Sequence, residues 1–76
     1  MPTHPRIARN PDILSGKPAV AGTRIAVEFV LERLAAGWSE AEVLENYPQL
    51  SRDDVLACLA YARDLVEESA PAHAAE

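Results

Sequence analysis

Apolar residues recur with helical spacing through the second half of this chain. In the segment 26–36, Val27, Val30 and Leu34 fall on one face at about 100° per residue, which predicts an amphipathic helix. In the segment 52–68, the apolar arc is wider than the ~100° that one packed face requires. Its centre is formed by Val55, Leu59, Ala62 and Val66. Because one neighbour cannot cover such an arc, we expect this helix to be covered from two directions.

Two stretches twelve positions apart have the composition of a helix start. In each, a serine (Ser39 or Ser51) can accept a hydrogen bond from the backbone three residues on, and an acidic residue there can reach back. Pro48 must end the helix between them, because proline lacks a backbone N–H and restricts the residue before it. The pattern therefore predicts a helix, a short turn and a helix, the arrangement of a helix-turn-helix. The predicted helices are 26–36, 40–46 and 52–68.

The first 25 residues alternate polar and apolar positions only over short pieces, which predicts a β ribbon over 6–25. Extended pieces are expected at 6–9, 13–14 and 19–20, separated by turns. A ribbon this small is unstable alone, so it must lie on the helices or pair with a second chain. The predicted fold class is mainly α, with one domain over 6–68. Residues 1–5 and 69–76 are expected to be a disordered arm and tail.

Composition limits the chain to one small domain, which favours oligomerisation. With 76 residues, the chain holds no apolar run of the roughly 18 needed to span a bilayer, so we expect a cytoplasmic protein without a membrane partner. Cys58 is the only cysteine, which leaves no disulfide and no thiolate pair for a metal. We interpret Cys58 as a small core residue.

The net charge of −5 is unevenly distributed. Residues 1–24 carry four cations and one acid, or +3, whereas residues 25–76 carry three arginines and eleven acids, or −8. The acidic body suits a basic protein partner, or it merely keeps the protein soluble. The solvent arc of the last helix holds acids and no lysine, arginine, asparagine or glutamine, so we reject base readout by that helix.

If nucleic acid is bound, the ribbon must supply the cations. A two-stranded ribbon fits the major groove of DNA, and an extended basic arm fits the minor groove. Arg24 has an equal structural interpretation, in which it holds its turn through backbone carbonyls or Glu28. The predicted DNA-binding residues are Arg6, Arg9, Lys17 and Arg24.

Phe29 lies nearly opposite the core face of the first helix, where a polar side chain is expected. We expect it to lie under the ribbon of its own chain or in a dimer contact, rather than in a separate ligand groove. The predicted dimer or partner interface comprises Ile7, Phe29, Leu56, Tyr61 and Leu65.

An enzyme is disfavoured by the sequence. Both histidines, His4 and His73, lie in the expected disordered ends, and Ser39 and Ser51 are explained as helix caps. Gly16-Lys17 lacks the other residues of a phosphate-binding loop. We therefore predict no catalytic residue, no metal site and no cofactor.

The segment 10–25, Asn-Pro-Asp-Ile-Leu-Ser-Gly-Lys-Pro-Ala-Val-Ala-Gly-Thr-Arg-Ile, resembles the signature of the bacterial domain-of-unknown-function family 433. Gly37-Trp38-Ser39, Tyr47-Pro48 and Leu50 resemble the helical half of the same family. The resemblance extends from about Arg6 to Leu65. Two departures are Ala26, where the family usually has proline, and Ala19, where it often has a bulkier residue.

That resemblance implies a homeodomain-like or winged-helix-like three-helix fold and a VapB-type antitoxin paired with a PIN-like nuclease. The expected function is the antitoxin component of a bacterial type II toxin–antitoxin system. Such a protein would be a homodimer, neutralise its cognate toxin, a PIN-like ribonuclease, and bind its own operator DNA. The alternative is a protein–protein interaction module with no nucleic-acid role.

Overall fold

Three helices and a short two-stranded antiparallel sheet form the chain, as the hydrophobic pattern predicts. The computed structural model describes residues 4–69. The strands are β1 (Ile7–Ala8) and β2 (Ala19–Val20), and the helices are α1 (Val27–Ala35), α2 (Glu40–Asn46) and α3 (Arg52–Ser69). None of these helices, within the residues described, is long and apolar enough to cross a membrane.

Both serine-capped helix starts are confirmed by their hydrogen bonds. At α2 the Ser39 hydroxyl accepts the Glu42 N–H at 3.1 Å, and the Glu42 carboxylate accepts the Ser39 N–H at 2.7 Å. At α3 the Ser51 hydroxyl accepts the Asp54 N–H at 3.2 Å, and the Asp54 carboxylate accepts the Ser51 N–H at 2.9 Å. Each reciprocal pair satisfies backbone donors that a helix start leaves free, so both helices begin where local chemistry places them.

The end of α1 is fixed by Gly37, whose φ of +100° is in the left-handed region. The Gly37 N–H donates to the Leu34 carbonyl at 3.0 Å, and the Trp38 N–H donates to the Arg33 carbonyl at 3.1 Å. This pair of bonds is a Schellman motif, which closes the last turn and reverses the chain. Trp38 is thereby brought back beside the helix that it follows.

The sheet holds the N-terminal segment against the helices. Ile7 pairs with Val20, and Ala8 pairs with Ala19, in antiparallel register. On the other side of β2, the Val20 N–H donates to the Ile25 carbonyl at 2.9 Å. Because β2 is bonded on both sides, it lies between β1 and the segment that leads into α1, and Val20 is buried with 2% exposed.

The expected extended piece at 13–14 is wrong at its second residue. Ile13 has extended angles, but Leu14 and Ser15 take φ values of +52° and +56°, followed by Gly16 at +82°. The Gly16 and Lys17 N–H groups donate to carbonyls three residues back and close a left-handed turn. A residue with a Cβ atom is sterically disfavoured at positive φ, and here two such residues follow each other. No local signal therefore predicts the turn.

The core combines residues from all three helices, β2 and the turn before α3. Its fully or nearly buried members are Val20, Val27, Val30, Val43, Leu50, Val55, Cys58 and Tyr61. Cys58 is confirmed as a core residue with 0% exposed, and burial, followed by the nearby Asp54 carboxylate, raises the pKa of its thiol to about 11. The thiol is therefore protonated at neutral pH, which suits packing rather than reactivity.

Helix α3 is covered on one side only in this chain, contrary to the expectation that it is covered from two directions. Val55, Cys58 and Tyr61 face the core, whereas Leu59 and Val66 are 42% and 69% exposed. With Leu56, which is 40% exposed, these two form an aliphatic row on one side of the helix, called the α3 stripe below. Helical spacing gave the width of the apolar arc but misplaced its buried centre.

Candidate functional site

Two of the four predicted DNA-binding cations pair with carboxylates of their own chain. The Arg6 guanidinium contacts the Asp54 carboxylate at 3.1 Å and the Asp53 carboxylate at 3.6 Å. The Lys17 ammonium contacts the Glu28 carboxylate at 3.0 Å. Both cations remain at least half exposed, so these ion pairs lie on the surface. The carboxylates compete with phosphate for the two cations but leave the positive charge accessible.

The Arg6 pair is coupled to the cap of α3. Partial burial by itself raises the pKa of Asp54. The hydrogen bond from the Ser51 N–H, then that from Arg6 and that from the Ser51 hydroxyl, together outweigh this and lower the pKa below its ordinary value. Asp54 therefore stays ionised while it binds the ribbon cation, and its charge ties β1 to the start of α3.

Arg9 and Arg24 are exposed, and no ion pair or hydrogen bond involves either side chain within residues 4–69. The structural interpretation of Arg24 is wrong within residues 4–69, because its side chain contacts neither backbone carbonyls nor Glu28, which pairs with Lys17. Arg24 follows a tight turn in which Gly22 takes a φ of +82° and the Thr23 hydroxyl donates to the Val20 carbonyl. The turn is thus held without Arg24.

His4, assigned by the sequence to a loose arm, is packed onto α3. Its Nε2 lies 3.0 Å from the Asp64 carboxylate, and its ring meets the Tyr61 ring edge-on at 5.6 Å. The hydrogen bond from Arg63, and more weakly that from His4, holds the pKa of Asp64 below its ordinary value. Residues 1–3 and 70–76 of the expected arm and tail lie outside the described residues.

An open groove of about 510 Å³ lies beside α1 and the turn that follows α2. Its apolar walls include Phe29 and Tyr47, and Leu14 from the left-handed turn. The remaining lining residues are Lys17, Arg24, Ile25, Ala26, Glu28, Glu32 and Gln49. Phe29 therefore faces a groove beside its own ribbon loop, a position that the sequence interpretation had ranked below burial or a dimer contact.

Three of the four aromatic residues gather around one arginine. The Arg33 guanidinium carbon lies 4.5 Å from the centre of the Phe29 ring and 5.4 Å from the centre of the Trp38 ring. Tyr47 meets Phe29 edge-on at 5.2 Å and stacks with Trp38 at 6.3 Å. We call this partly exposed cluster of Phe29, Arg33, Trp38 and Tyr47 the aromatic face. Cation–π contacts and ring packing hold its members in fixed orientations.

Among the residues of the aromatic face, only Phe29 is predicted from the sequence as a site residue. Arg33 follows Phe29 by four positions, so helical spacing could have predicted that pair. Trp38 and Tyr47 enter the sequence-based prediction only through the family resemblance. Their meeting with Phe29 depends on how α2 packs against α1, which no local pattern reports.

The residues predicted for an interface divide into accessible and inaccessible ones. Tyr61 is 4% exposed in the core of its own chain, so a second chain cannot reach it in this conformation. Ile7 and Leu65 pack partly against the core. Leu56, on the α3 stripe, stays accessible. No group of three or more metal-binding side chains converges within residues 4–69.

Comparison with known proteins gives a family, a related sequence and a solved structure of similar fold. A family model described as "Protein of unknown function (DUF433)" matches residues 7–62. The uncharacterized protein y4eO of Sinorhizobium fredii is 39% identical over 56 residues, which make up 74% of this chain and 25% of that protein. The chain thus spans about a quarter of that relative's length.

A crystal structure of a DUF433 member protein from Anabaena variabilis superposes with a TM-score of 0.77 at 28% identity. The superposition covers 83% of this chain and 62% of that one, less than two thirds of its length. The family match over most of the chain and the shared three-helix fold agree with each other. The chain belongs to the DUF433 family of proteins of unknown function.

Proposed function

We propose that this chain is the antitoxin component of a bacterial type II toxin–antitoxin system. In this role it neutralises a PIN-like ribonuclease toxin and binds its own operator DNA as a homodimer in the cytoplasm. The proposal takes α2, the turn and α3 as a helix-turn-helix of the homeodomain-like or winged-helix-like kind. It further assigns the chain, through its family resemblance, to the VapB-type antitoxins.

The observation that carries the proposal is the separation of charge. Arg9 and Arg24 lie in the ribbon segment, exposed and without a carboxylate partner within residues 4–69, while residues 25–76 carry a net −8. Cations on the ribbon can approach phosphates, and the acidic helices cannot. Contact with DNA through the ribbon would leave the surface of the helices for a protein partner.

The α3 stripe supplies the dimer contact of this proposal. Leu56, Leu59 and Val66 lie in one row, and the row can be covered by the same row of a second copy, as a twofold interface requires. Dimerisation doubles the number of ribbon cations that can contact one operator. Phosphate affinity from few cations then falls steeply with salt, by about 0.9 logarithmic units per neutralised phosphate for each tenfold rise.

Operator binding is tested by gel shift with the DNA upstream of the coding sequence. The double variant Arg9→Ala/Arg24→Ala should abolish the shift at low salt, because it removes the two unpaired cations. The matched variant Arg6→Ala/Lys17→Ala also removes two positive charges, but from residues already paired with carboxylates, and should weaken the shift less. Equal losses from the two variants would contradict the assignment to unpaired cations.

The antitoxin activity is tested with the protein encoded by the adjacent reading frame. That protein is purified alone and with this chain, and cleavage of a labelled RNA is measured in both cases. We expect cleavage by the isolated protein and its suppression by a molar equivalent of this chain. Cleavage that continues at the same rate in the presence of this chain would refute the function.

The second candidate, an interaction module without nucleic-acid binding, is favoured by one observation. Arg6 and Lys17 form ion pairs with Asp54 and Glu28, which halves the number of unpaired cations on the predicted DNA surface. A dimer that leaves the upstream DNA unshifted at low salt would support this candidate over the regulator.

A further inference from the structure

We propose that the aromatic face and the adjoining groove form the docking surface for the toxin, and that Arg33 receives a carboxylate of that partner. The inference rests on the proposed function for the identity of the partner, and it deepens that function by assigning the site. The partner segment would lay an apolar side chain in the groove against Phe29 and Tyr47 and place an acidic side chain over Arg33.

Arg33 is held in one orientation without using its hydrogen-bonding capacity. Phe29 and Trp38 contact the guanidinium group, and its Nε is sealed from solvent with no hydrogen-bond partner. Its two terminal nitrogens are neither sealed nor hydrogen-bonded within residues 4–69. An arginine whose outer edge is free and whose plane is fixed can bind a carboxylate through two parallel hydrogen bonds with little loss of side-chain freedom.

The charge around Arg33 makes its unpaired state informative. No carboxylate forms an ion pair with it within residues 4–69, although this part of the chain is rich in acids. Arg52 and Arg63, by contrast, pair with Glu40 and Asp64. The cation of the aromatic face is therefore available to an external acid, while those of α3 are already compensated.

The groove adds an apolar socket beside this cation. Phe29 and Tyr47 belong both to the aromatic face and to the groove wall, so a side chain in the groove would contact Phe29, one of the two rings that hold Arg33. At the groove, Lys17 neutralises Glu28, whereas Glu32 has no ion-pair partner within residues 4–69. The matching segment therefore carries apolar, acidic and basic side chains together.

The residues of the aromatic face are of the types found in the hot spots of protein–protein interfaces. Trp, Tyr and Arg are the residues enriched where truncation costs most binding energy, and pre-ordered rings lose little entropy on binding. The α3 stripe has none of these residue types among its three members and suits self-association better. We therefore separate the two surfaces: the stripe for a second copy and the aromatic face for the toxin.

The experiment measures binding of the full chain to the purified protein encoded by the adjacent reading frame, by titration calorimetry. Arg33→Gln should weaken binding on the order of 10- to 100-fold, because it removes the charge and the bidentate geometry. Arg33→Lys should recover only part of the loss, since lysine keeps the charge but not the planar fork. Arg63→Gln, a matched loss of one exposed and already paired arginine, should leave the affinity within about twofold.

A second variant keeps the test decisive should Arg33→Gln unfold. Gln49 is exposed on the groove wall, so Gln49→Trp obstructs the groove with little effect on the core. It should weaken binding at least tenfold, because the indole would occupy the part of the groove that the apolar side chain of the partner needs. Circular dichroism and the urea midpoint of each variant separate loss of fold from loss of docking.

The outcomes distinguish this inference from the proposed function. Absence of binding by the wild-type chain would remove the antitoxin function itself. Tight wild-type binding with unchanged affinity for Arg33→Gln and Gln49→Trp would overturn the docking site and leave the function standing. Loss of self-association in these variants, with toxin affinity retained, would also overturn it, because the occupant would then be a second copy.

Discussion

The aromatic face and the α3 stripe both expose apolar surface, but they are organised differently. In the aromatic face, the Tyr47 ring lies 5.2 Å from the Phe29 ring and 6.3 Å from the Trp38 ring, and the Arg33 cation lies 4.5 and 5.4 Å from the same two rings. In the α3 stripe, Leu56, Leu59 and Val66 project from one helix at 40%, 42% and 69% exposure. The side chains of the aromatic face are held in place by contacts with one another, whereas those of the α3 stripe are exposed to solvent.

This difference shows that exposure alone does not describe a binding surface. A pre-ordered cluster loses little side-chain freedom on binding and can be specific, whereas an aliphatic row gains mainly by leaving water. The stripe therefore suits a contact that the protein makes with itself, and the aromatic face suits a contact that must discriminate among partners.

The largest effect is expected from Leu50→Ala. Leu50 is 6% exposed in the turn between α2 and α3 and packs in the core that supports both surfaces. Truncation should lower the free energy of unfolding by about 2–5 kcal/mol, measured by urea denaturation. Leu59→Ala, assayed at protein concentrations that keep the chain monomeric, should change it by less than about 1 kcal/mol. Equal losses would mean that the stripe is buried in the monomer.

A smaller and concentration-dependent effect is expected from Leu59→Lys. A charge at the centre of the α3 stripe should weaken self-association by about 2 kcal/mol or more, because the ammonium must be desolvated in the interface. Sedimentation equilibrium measures the dimer constant. The matched variant Gln49→Lys places the same charge at the groove of the aromatic face. It should leave the dimer constant unchanged, and dissociation caused by Gln49→Lys would place the dimer contact at the groove instead.

The two helix caps should contribute comparable amounts. Ser39 begins the helix that leads to Tyr47, and Ser51 begins the helix that carries the stripe, and each makes the same reciprocal pair of hydrogen bonds. Replacement of either serine by alanine should lower the free energy of unfolding by about 1 kcal/mol. Thermal unfolding of both variants in parallel tests this. If the loss in free energy of unfolding differs by more than about twofold between the two variants, the ion pair of Arg6 with Asp54 contributes to the stability of the second cap.

The smallest effect concerns pH and Asp54. Its pKa in the folded chain lies below the ordinary value of 3.8, so its ionised form stabilises the fold above that value, and this stabilisation is lost as the pH falls through the folded pKa. Asp54→Asn keeps an acceptor for the Ser51 N–H but not the charge that pairs with Arg6. It should lower stability at pH 7 by less than about 1 kcal/mol.

The acid limb of the stability curve provides the check on Asp54. The difference in free energy of unfolding between wild type and Asp54→Asn should be constant from neutral pH down to about pH 5 and should shrink below that. Urea denaturation at pH 7, 5, 4 and 3 measures it. A difference that instead grows toward acid pH would contradict a lowered pKa for Asp54.

Much of the fold could be predicted from the sequence, because the signals are local. The serine caps of Ser39 and Ser51, the glycine stop at Gly37 and the proline stop at Pro48 each act within a few residues of themselves. The candidate site was predicted less well. Within residues 4–69, Arg9 and Arg24 are exposed and form no ion pair, but the pairing of Arg6 and Lys17 and the burial of Tyr61 were missed.

The sequence by itself determined where the helices of this protein begin and end and how charge is divided along it, because capping, proline and glycine effects and composition need no distant neighbour. Only the tertiary structure decided which carboxylates neutralise the ribbon, since Arg6 and Asp54 lie 48 positions apart. The packing of α2 on α1 likewise brings Trp38 and Tyr47 to Phe29 and Arg33. The side of α3 that is covered depends on the rotation of the helix about its own axis. Because the apolar arc is so wide, apolar spacing alone does not fix that rotation.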